Sequence, residues 1–87
     1  MKTLSKRFAL FQRVALARDF PEHHLCEGDL ATVVDYHPAL HGQEDGYSLE
    51  VFNAVGETIA VIVADESDIQ TLRPDEILNA RVWAAAA

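Results

Sequence analysis

Cysteine is nearly absent from this chain of 87 residues, because Cys26 is the only one. A single cysteine excludes a disulfide within the chain, so nothing indicates an oxidising compartment. Since cysteine is among the residues most often buried, we expect Cys26 to be a small apolar side chain in the core. A reactive thiol would need a lowered pKa, and the only support for one is that His23 and His24 lie nearby in the sequence.

Long apolar stretches are missing as well, and none is long enough to span a membrane. The basic segment 3–14 is interrupted by Lys6, Arg7, Gln12 and Arg13, so it lacks the apolar region of a signal peptide. We therefore expect a cytoplasmic, bacterial-type protein that has no membrane contact.

Basic residues are scarce after position 18. The chain has seven Lys and Arg against 14 Asp and Glu, which gives a net charge of −7. Residues 1–18 contain five of the basic residues and no acidic one. Because affinity for a nucleic-acid backbone comes from Lys and Arg, the overall balance argues against nucleic acid as the partner and favours a basic protein.

The length of the chain allows one domain with a small core, which an oligomer would help to stabilise. We expect residues 1–9 to form an N-terminal arm or short helix, since Leu4, Phe8 and Phe11 have helical spacing. Residues 10–83 would form a single small β-barrel domain, and 84–87 a frayed tail.

The clearest strand signal lies between Gly28 and Pro38. Turn residues at 27–29 precede a run rich in Thr and Val, and Pro38 ends it because proline has no N–H to donate. The alternation of polar and apolar residues is incomplete, because Ala31 and Val33 are apolar as well. A strand with apolar residues on both faces is typical of a strongly curved sheet, as in a small barrel.

Four further strands are predicted at 12–20, 47–52, 58–64 and 70–72. The turns between strands fall at 21–28, 41–46, 53–57 and 65–68, where Asp65 is placed to cap a helical turn through Asp68. Because 58–64 is almost entirely apolar, it is either the most buried strand or one with a face against a partner. This spacing predicts an all-β chain, folded as a closed or half-open barrel of about five strands with short helical turns.

The segment 75–83 is compatible with a helix start at its beginning and with strand alternation further on. We expect an extended tail. Trp83 would pack over the mouth of the barrel or act as an interface anchor.

Six motifs follow one another along the chain: LFQRVAL (10–16), DFPEHHL (19–25), EGDLATVV (27–34), YSLEVF (47–52), GETIAVIV (56–63) and IQTLRP (69–74). Their combination resembles a small bacterial family, the domain of unknown function 4926 (DUF4926). The chain departs from the family pattern at His24 and Ala31, where the family tends to have Gly. The resemblance implies an SH3-like barrel similar to KOW modules, with no established reaction and no catalytic residues. The apparent proximity of some members to toxin-like proteins implies an immunity or antitoxin role.

Four histidines, His23, His24, His37 and His41, are candidates for a metal site because they fall close together in sequence. No established ligand spacing is present, however, and ordinary surface histidines are the favoured interpretation of the pattern. We therefore expect no cofactor.

An acidic set is the main candidate for an interaction surface, together with Trp83. Its members are Asp65, Glu66, Asp68, Asp75 and Glu76. Calcium-loop spacing is absent, and a small barrel offers little cleft for catalytic carboxylates. The remaining interpretations are a solvated corner or a surface that faces a basic partner.

We therefore expect a non-enzymatic protein-interaction module, in its sharpest form an immunity- or antitoxin-like inhibitor of a toxin-like protein. One alternative is a nucleic-acid-binding barrel that uses a basic strip and the rings of Phe8 and Phe11. The strip consists of Lys2, Lys6, Arg7, Arg13 and Arg18. Another alternative is a homo-oligomer that binds a metal or small ligand, and strand 58–64 would suit a homodimer.

Overall fold

A computed structural model describes residues 6–83 as an all-β fold built from one antiparallel sheet. The strands are β1 (Arg13–Leu16), β2 (Leu30–His37), β3 (Gly46–Phe52), β4 (Thr58–Asp65) and β5 (Ile69–Thr71). Their order in the sheet is β4-β3-β2-β1-β5, so the chain returns to place its last strand beside its first. Single 3₁₀ turns at Pro21–His23 and Glu66–Asp68 join the strands. The predicted small barrel with short helical turns is confirmed, in its half-open form.

The core lies against one face of this sheet, and β3 contributes three of its side chains. Tyr47, Leu49 and Val51 alternate inward along β3 and are all buried. Strands β1 and β2 contribute Val14, Leu16, Ala31 and Val33, and the turns contribute Phe20 and Leu25. Burial of these side chains is the main stabilising contribution, as in any small domain.

A β-bulge at Val34 explains the blurred alternation of β2. Val33 pairs with Leu49 of β3, but Asp35 pairs with Ser48, so Val34 is an extra residue in the ladder. Before the extra residue the odd-numbered side chains face inward, and after it the even-numbered ones do. Both Val33 and Tyr36 can therefore pack toward the core. The strand is therefore strongly bent, as its pattern predicts.

Of the predicted N-terminal arm or short helix at 1–9, residues 1–5 lie outside the described residues, and no helix is present between residues 6 and 12. Phe8 is buried against Tyr47, and the two rings meet edge to face at 5.4 Å. Phe11 is 74% exposed and has a φ of 67°, a left-handed conformation that bulky residues rarely adopt. The helical spacing of the aromatic residues was therefore misleading, and β1 begins only at Arg13.

Cys26 is exposed, so the prediction that it belongs to the core is wrong. It lies in the turn between the first 3₁₀ turn and β2, where its backbone N–H donates to Asp29 Oδ2 at 2.7 Å. Leu25, one residue earlier, takes the buried position.

The apolar strand β4 is an edge strand with one buried face, rather than the most buried strand. Ile62 and Ala64 point into the core, whereas Val61 and Val63 are 61% and 69% exposed. Of the two predicted alternatives, the most buried strand is therefore wrong, and a face against a partner stays a prediction. The segment 72–83 has no helix or strand, and no helix among residues 6–83 is long and apolar enough to cross a membrane.

Candidate functional site

Acidic side chains cluster at the C-terminal end of β4, on a surface that we call the acidic corner. It consists of Glu44, Asp45, Asp65, Glu66 and Asp68. Asp65 and Asp68 form a reciprocal capping box around the second 3₁₀ turn, in which the side chain of each accepts the backbone N–H of the other. These bonds satisfy N–H groups that a helix start otherwise leaves unpaired, which is why the sequence folds as a turn here.

The loop before β3 joins this turn through several hydrogen bonds. Ser67 donates its backbone N–H to Glu44 Oε1 at 2.8 Å and its hydroxyl to Glu44 Oε2 at 3.0 Å. The Glu66 N–H donates to the Asp45 carbonyl at 2.8 Å. The register of β3 and β4, in which Gly46 pairs with Asp65, brings these two distant segments together. The acidic corner therefore has a fixed shape.

Tyr36 supports the corner from β2. Its hydroxyl donates to Asp45 Oδ2 at 2.7 Å, and the other oxygen of Asp45 accepts the N–H of Ala39 at 2.9 Å. The hydrogen bond to Asp45 raises the pKa of Tyr36 to about 12, with smaller contributions from burial and nearby carboxylates. Asp45 therefore orders the loop that carries Glu44.

Arg18 is the basic residue that contacts the acidic corner, because its Nε lies 3.0 Å from Asp68 Oδ1. The Arg18 guanidinium also stacks on the ring of Phe20 at 3.9 Å. Within residues 6–83 no cation forms an ion pair with Glu44, Asp65 or Glu66. These three carboxylates therefore carry negative charge that no ion pair balances. They can repel one another or attract a basic partner.

Asp75 and Glu76 lie in a separate turn, after β5. Arg73 binds Asp75 through Nε and Nη2, and its backbone N–H donates to Glu76 Oε1 at 2.6 Å. The five predicted acidic residues therefore divide into one group at the corner and a second group engaged by Arg73. Glu44 and Asp45 were not predicted, because they look like ordinary loop residues in the sequence. The register of the β3–β4 hairpin, which places Gly46 opposite Asp65, is the signal that connects them to the corner.

Trp83, the other predicted interaction residue, is half-buried against the core. Its indole Nε1–H donates to the His23 carbonyl at 3.1 Å. The ring borders an open groove of about 1040 Å³ that Val51, Phe52 and Ile59 also line. The packing role of Trp83 is visible in these contacts, and its role as an interface anchor stays a prediction.

The four histidines do not come together. His37 Nε2 lies 2.8 Å from Ser48 Oγ on the outer face of the sheet. His23 and His24 end the first 3₁₀ turn, and His41 lies in the loop before β3. In the part of the chain that the structure describes, no three His, Cys, Asp or Glu side chains are placed to hold a metal ion.

Comparison with known protein families gives one match, over residues 10–76, to the family described as Domain of unknown function (DUF4926). The chain belongs to this family. Neither the curated proteins nor the solved structures give a significant match. The DUF4926 match extends from just before β1 to the turn after β5, so it includes every strand and the whole acidic corner.

Both departures of this DUF4926 domain from the expected pattern, His24 and Ala31, have a structural meaning. His24 adopts a φ of 57° at the end of the first 3₁₀ turn, a conformation that glycine adopts without steric cost. Ala31 is buried in β2 opposite Val14, where a methyl group fits between neighbouring strands. The first substitution adds strain, and the second adds packing.

Proposed function

We propose that this DUF4926 domain is a non-enzymatic protein-interaction module that binds a basic partner protein through the acidic corner. The observation that carries the proposal is the hydrogen bonding between loop 44–45 and the turn 66–68. Carboxylates that are already ordered lose little conformational entropy when a partner binds. An acidic surface of fixed shape also steers a cationic partner during association.

The internal use of several corner carboxylates supports a binding role rather than a catalytic one. Asp45 and Asp68 accept hydrogen bonds from Tyr36, Ala39 and Asp65, which hold them in place. A general acid or base needs a proton to exchange with a substrate, whereas these oxygens are occupied by the fold. Among residues 6–83, the Glu66 carboxylate forms no such hydrogen bond, and this residue is only half-buried.

The sharpest form of the proposal is a cytoplasmic immunity- or antitoxin-like inhibitor. Clustered carboxylates resemble the charge distribution of a phosphate backbone, so a toxin-like protein with a basic phosphate-binding cleft is a partner of suitable chemistry. The net charge of −7 adds a long-range attraction for such a cleft.

A pair of charge reversals tests the proposal. Glu66→Lys changes the corner without removing any hydrogen bond that holds it, and Glu22→Lys makes the same charge change on the exposed first 3₁₀ turn. Tagged wild-type and variant proteins are used to capture partners from the native cell, with quantitative mass spectrometry. We expect a basic protein that the wild type and Glu22→Lys retain and that Glu66→Lys loses.

The captured partner then allows a kinetic test. Its association rate with the wild type should fall steeply as ionic strength rises, and much less steeply with Glu66→Lys. Equal capture by both variants, or an association rate insensitive to salt, would contradict the proposal.

Nucleic-acid binding is a second candidate because Phe11 exposes its ring beside the basic N-terminal segment. Against it, three of the five cations already lie over rings of the domain itself: Lys6 over Tyr36, Arg7 over Phe8 and Arg18 over Phe20. Fluorescence anisotropy with a labelled single-stranded oligonucleotide distinguishes the two. Salt-sensitive binding that Phe11→Ala weakens would favour this second candidate.

A further inference from the structure

Strand β4 forms one free edge of the sheet. Its ladder partner is β3, and no strand within residues 6–83 pairs with its other side. It has eight residues, about 26 Å at the usual rise per residue. An edge of this length presents a row of unpaired N–H and C=O groups to any strand that approaches.

The two edges of the sheet are protected to different degrees. The other edge, β5, has only three residues and is followed closely by Arg73 and Pro74. β4 has no Lys, Pro or Gly, and its only irregularity is a bulge near Ile59 at its start. Natural proteins blunt exposed edges with charges, prolines or short strands, so an unprotected edge is expected to have a partner.

The outer face of β4 is apolar, whereas the residues that pair with it on β3 are polar. Val61 and Val63 are exposed, and they stand beside Glu50 and Ser48 of β3. The Thr58 hydroxyl donates to Glu50, and Ser48 bonds His37, so these polar groups are engaged within the sheet. Val61 and Val63 are therefore the side chains on this face whose exposed apolar surface a partner strand could bury.

Charge decides what kind of strand fits this edge. The protein carries a net charge of −7, so two copies repel each other over most surfaces. From Thr58 to Ala64, β4 has no charged residue, and a second copy can approach there without opposing carboxylates. We propose that β4 pairs antiparallel with β4 of a second copy, which makes the protein a homodimer with one continuous ten-stranded sheet.

The sequence selects one register for this pairing. With the two-fold axis at Ile62, Val61 of each copy lies opposite Val63 of the other, and Asp65 lies opposite Ile59. A shift of the axis to Val61 places Asp65 opposite Glu57 of the second copy, and a shift to Val63 places Asp65 opposite Val61. Only the Ile62 register pairs every exposed valine with a valine, and such β-branched pairs are favourable across strands.

This dimer surface meets the acidic corner only at Asp65, the last residue of β4, and it does not depend on the proposed function. Each copy would keep its corner at the end of β4, so the dimer would present two acidic corners, related by the two-fold axis. Loss of one interaction can therefore be measured while the other remains.

Sedimentation equilibrium of the full chain tests the dimer. We expect the wild type to have twice the 9.6 kDa mass of one chain, and Val61→Lys/Val63→Lys to have the mass of one chain. Val55→Lys adds the same kind of charge at an exposed turn residue and should stay dimeric. Circular dichroism confirms that the variants are folded. A monomeric wild type, or a dimer that survives the double substitution in a folded chain, would overturn the proposal.

Cross-linking tests the register, in a background in which Cys26 is replaced by Ser. Directly opposite side chains lie close enough for a disulfide, whereas diagonal neighbours are about 7–8 Å apart. Under mild oxidation, a mixture of Val61→Cys and Val63→Cys chains should therefore cross-link much more than either variant alone. Equal cross-linking in all three samples would overturn the Ile62 register.

Discussion

Arg81 in the C-terminal segment forms a two-point ion pair with Asp29 in the turn before β2, 52 residues earlier. Its Nε donates to Asp29 Oδ1 at 2.9 Å, and its Nη2 donates to Oδ2. Asp29 Oδ2 also accepts the Cys26 N–H. Burial alone would raise the pKa of Asp29, but these hydrogen bonds and the charge of Arg81 together lower it. The pair fastens a segment without helix or strand to the barrel.

Asp29→Asn should destabilise the domain by about 1 kcal/mol at neutral pH, because the pair is partly exposed and asparagine can still accept the Cys26 N–H. A carboxyl whose pKa is lower in the folded state stabilises the fold above its unfolded pKa, near 3.8. That contribution is lost as the pH falls through the folded value. Urea unfolding should therefore show a difference at neutral pH that shrinks below about pH 4.

The exposed pair Arg73–Asp75 supplies the control for this measurement. Both of its side chains are more than half exposed, so Asp75→Asn should change the unfolding free energy little at any pH. An Asp29→Asn protein as stable as the wild type at neutral pH would show that Arg81 does not fasten the segment.

This ion pair marks the limit of what the sequence predicts. The strands follow from local patterns, since β-branched runs, Gly28 and Gly56 mark their positions and ends. The capping box of Asp65 and Asp68 is local as well, and its helical turn was predicted. Asp29 and Arg81 are brought together only by the folded chain, and no local pattern connects them.

The candidate surfaces were predicted in part for the same reason. Asp65, Glu66 and Asp68 are neighbours in sequence, but Glu44 and Asp45 reach them only through the register of β3 and β4. Strand β4 was left with two alternatives because an apolar run reads the same whether one face or both are buried. Its position at the edge of the sheet, a property of topology, excludes the first alternative, that β4 is the most buried strand.

Tyr47→Phe should loosen the N-terminal segment. The buried Tyr47 hydroxyl accepts the backbone N–H groups of Arg7 and Phe8 at 3.2 and 3.4 Å. Its removal leaves these donors without an acceptor, which costs about 1–3 kcal/mol. Faster hydrogen exchange at the Phe8 amide, together with a lower unfolding free energy, checks the prediction. Unchanged exchange at Phe8 would show that ring packing alone holds the segment.

Tyr36 should titrate about two pH units above an ordinary tyrosine, because ionisation breaks its hydrogen bond to Asp45 and creates a second negative charge beside it. A raised folded pKa stabilises the fold below the unfolded value near pH 10, and this contribution is lost as the pH rises through about 12. Tyrosinate absorbance, assigned with Tyr36→Phe, measures the step. Asp45→Asn should move it down toward pH 10, and an unmoved step would contradict the assigned cause.

His24→Gly should stabilise the domain by up to about 1 kcal/mol, because glycine adopts the left-handed backbone conformation without strain. The flexibility of glycine in the unfolded chain offsets part of this gain. His23→Gly is the matched control. His23 lies within the 3₁₀ turn, where glycine brings only the entropic loss, so this variant should be less stable by about 0.5–1 kcal/mol. Thermal and urea unfolding of both variants measure the difference. If both lose stability equally, the strain at His24 is compensated by contacts of its side chain, and the histidine at this position of the DUF4926 pattern is held by packing.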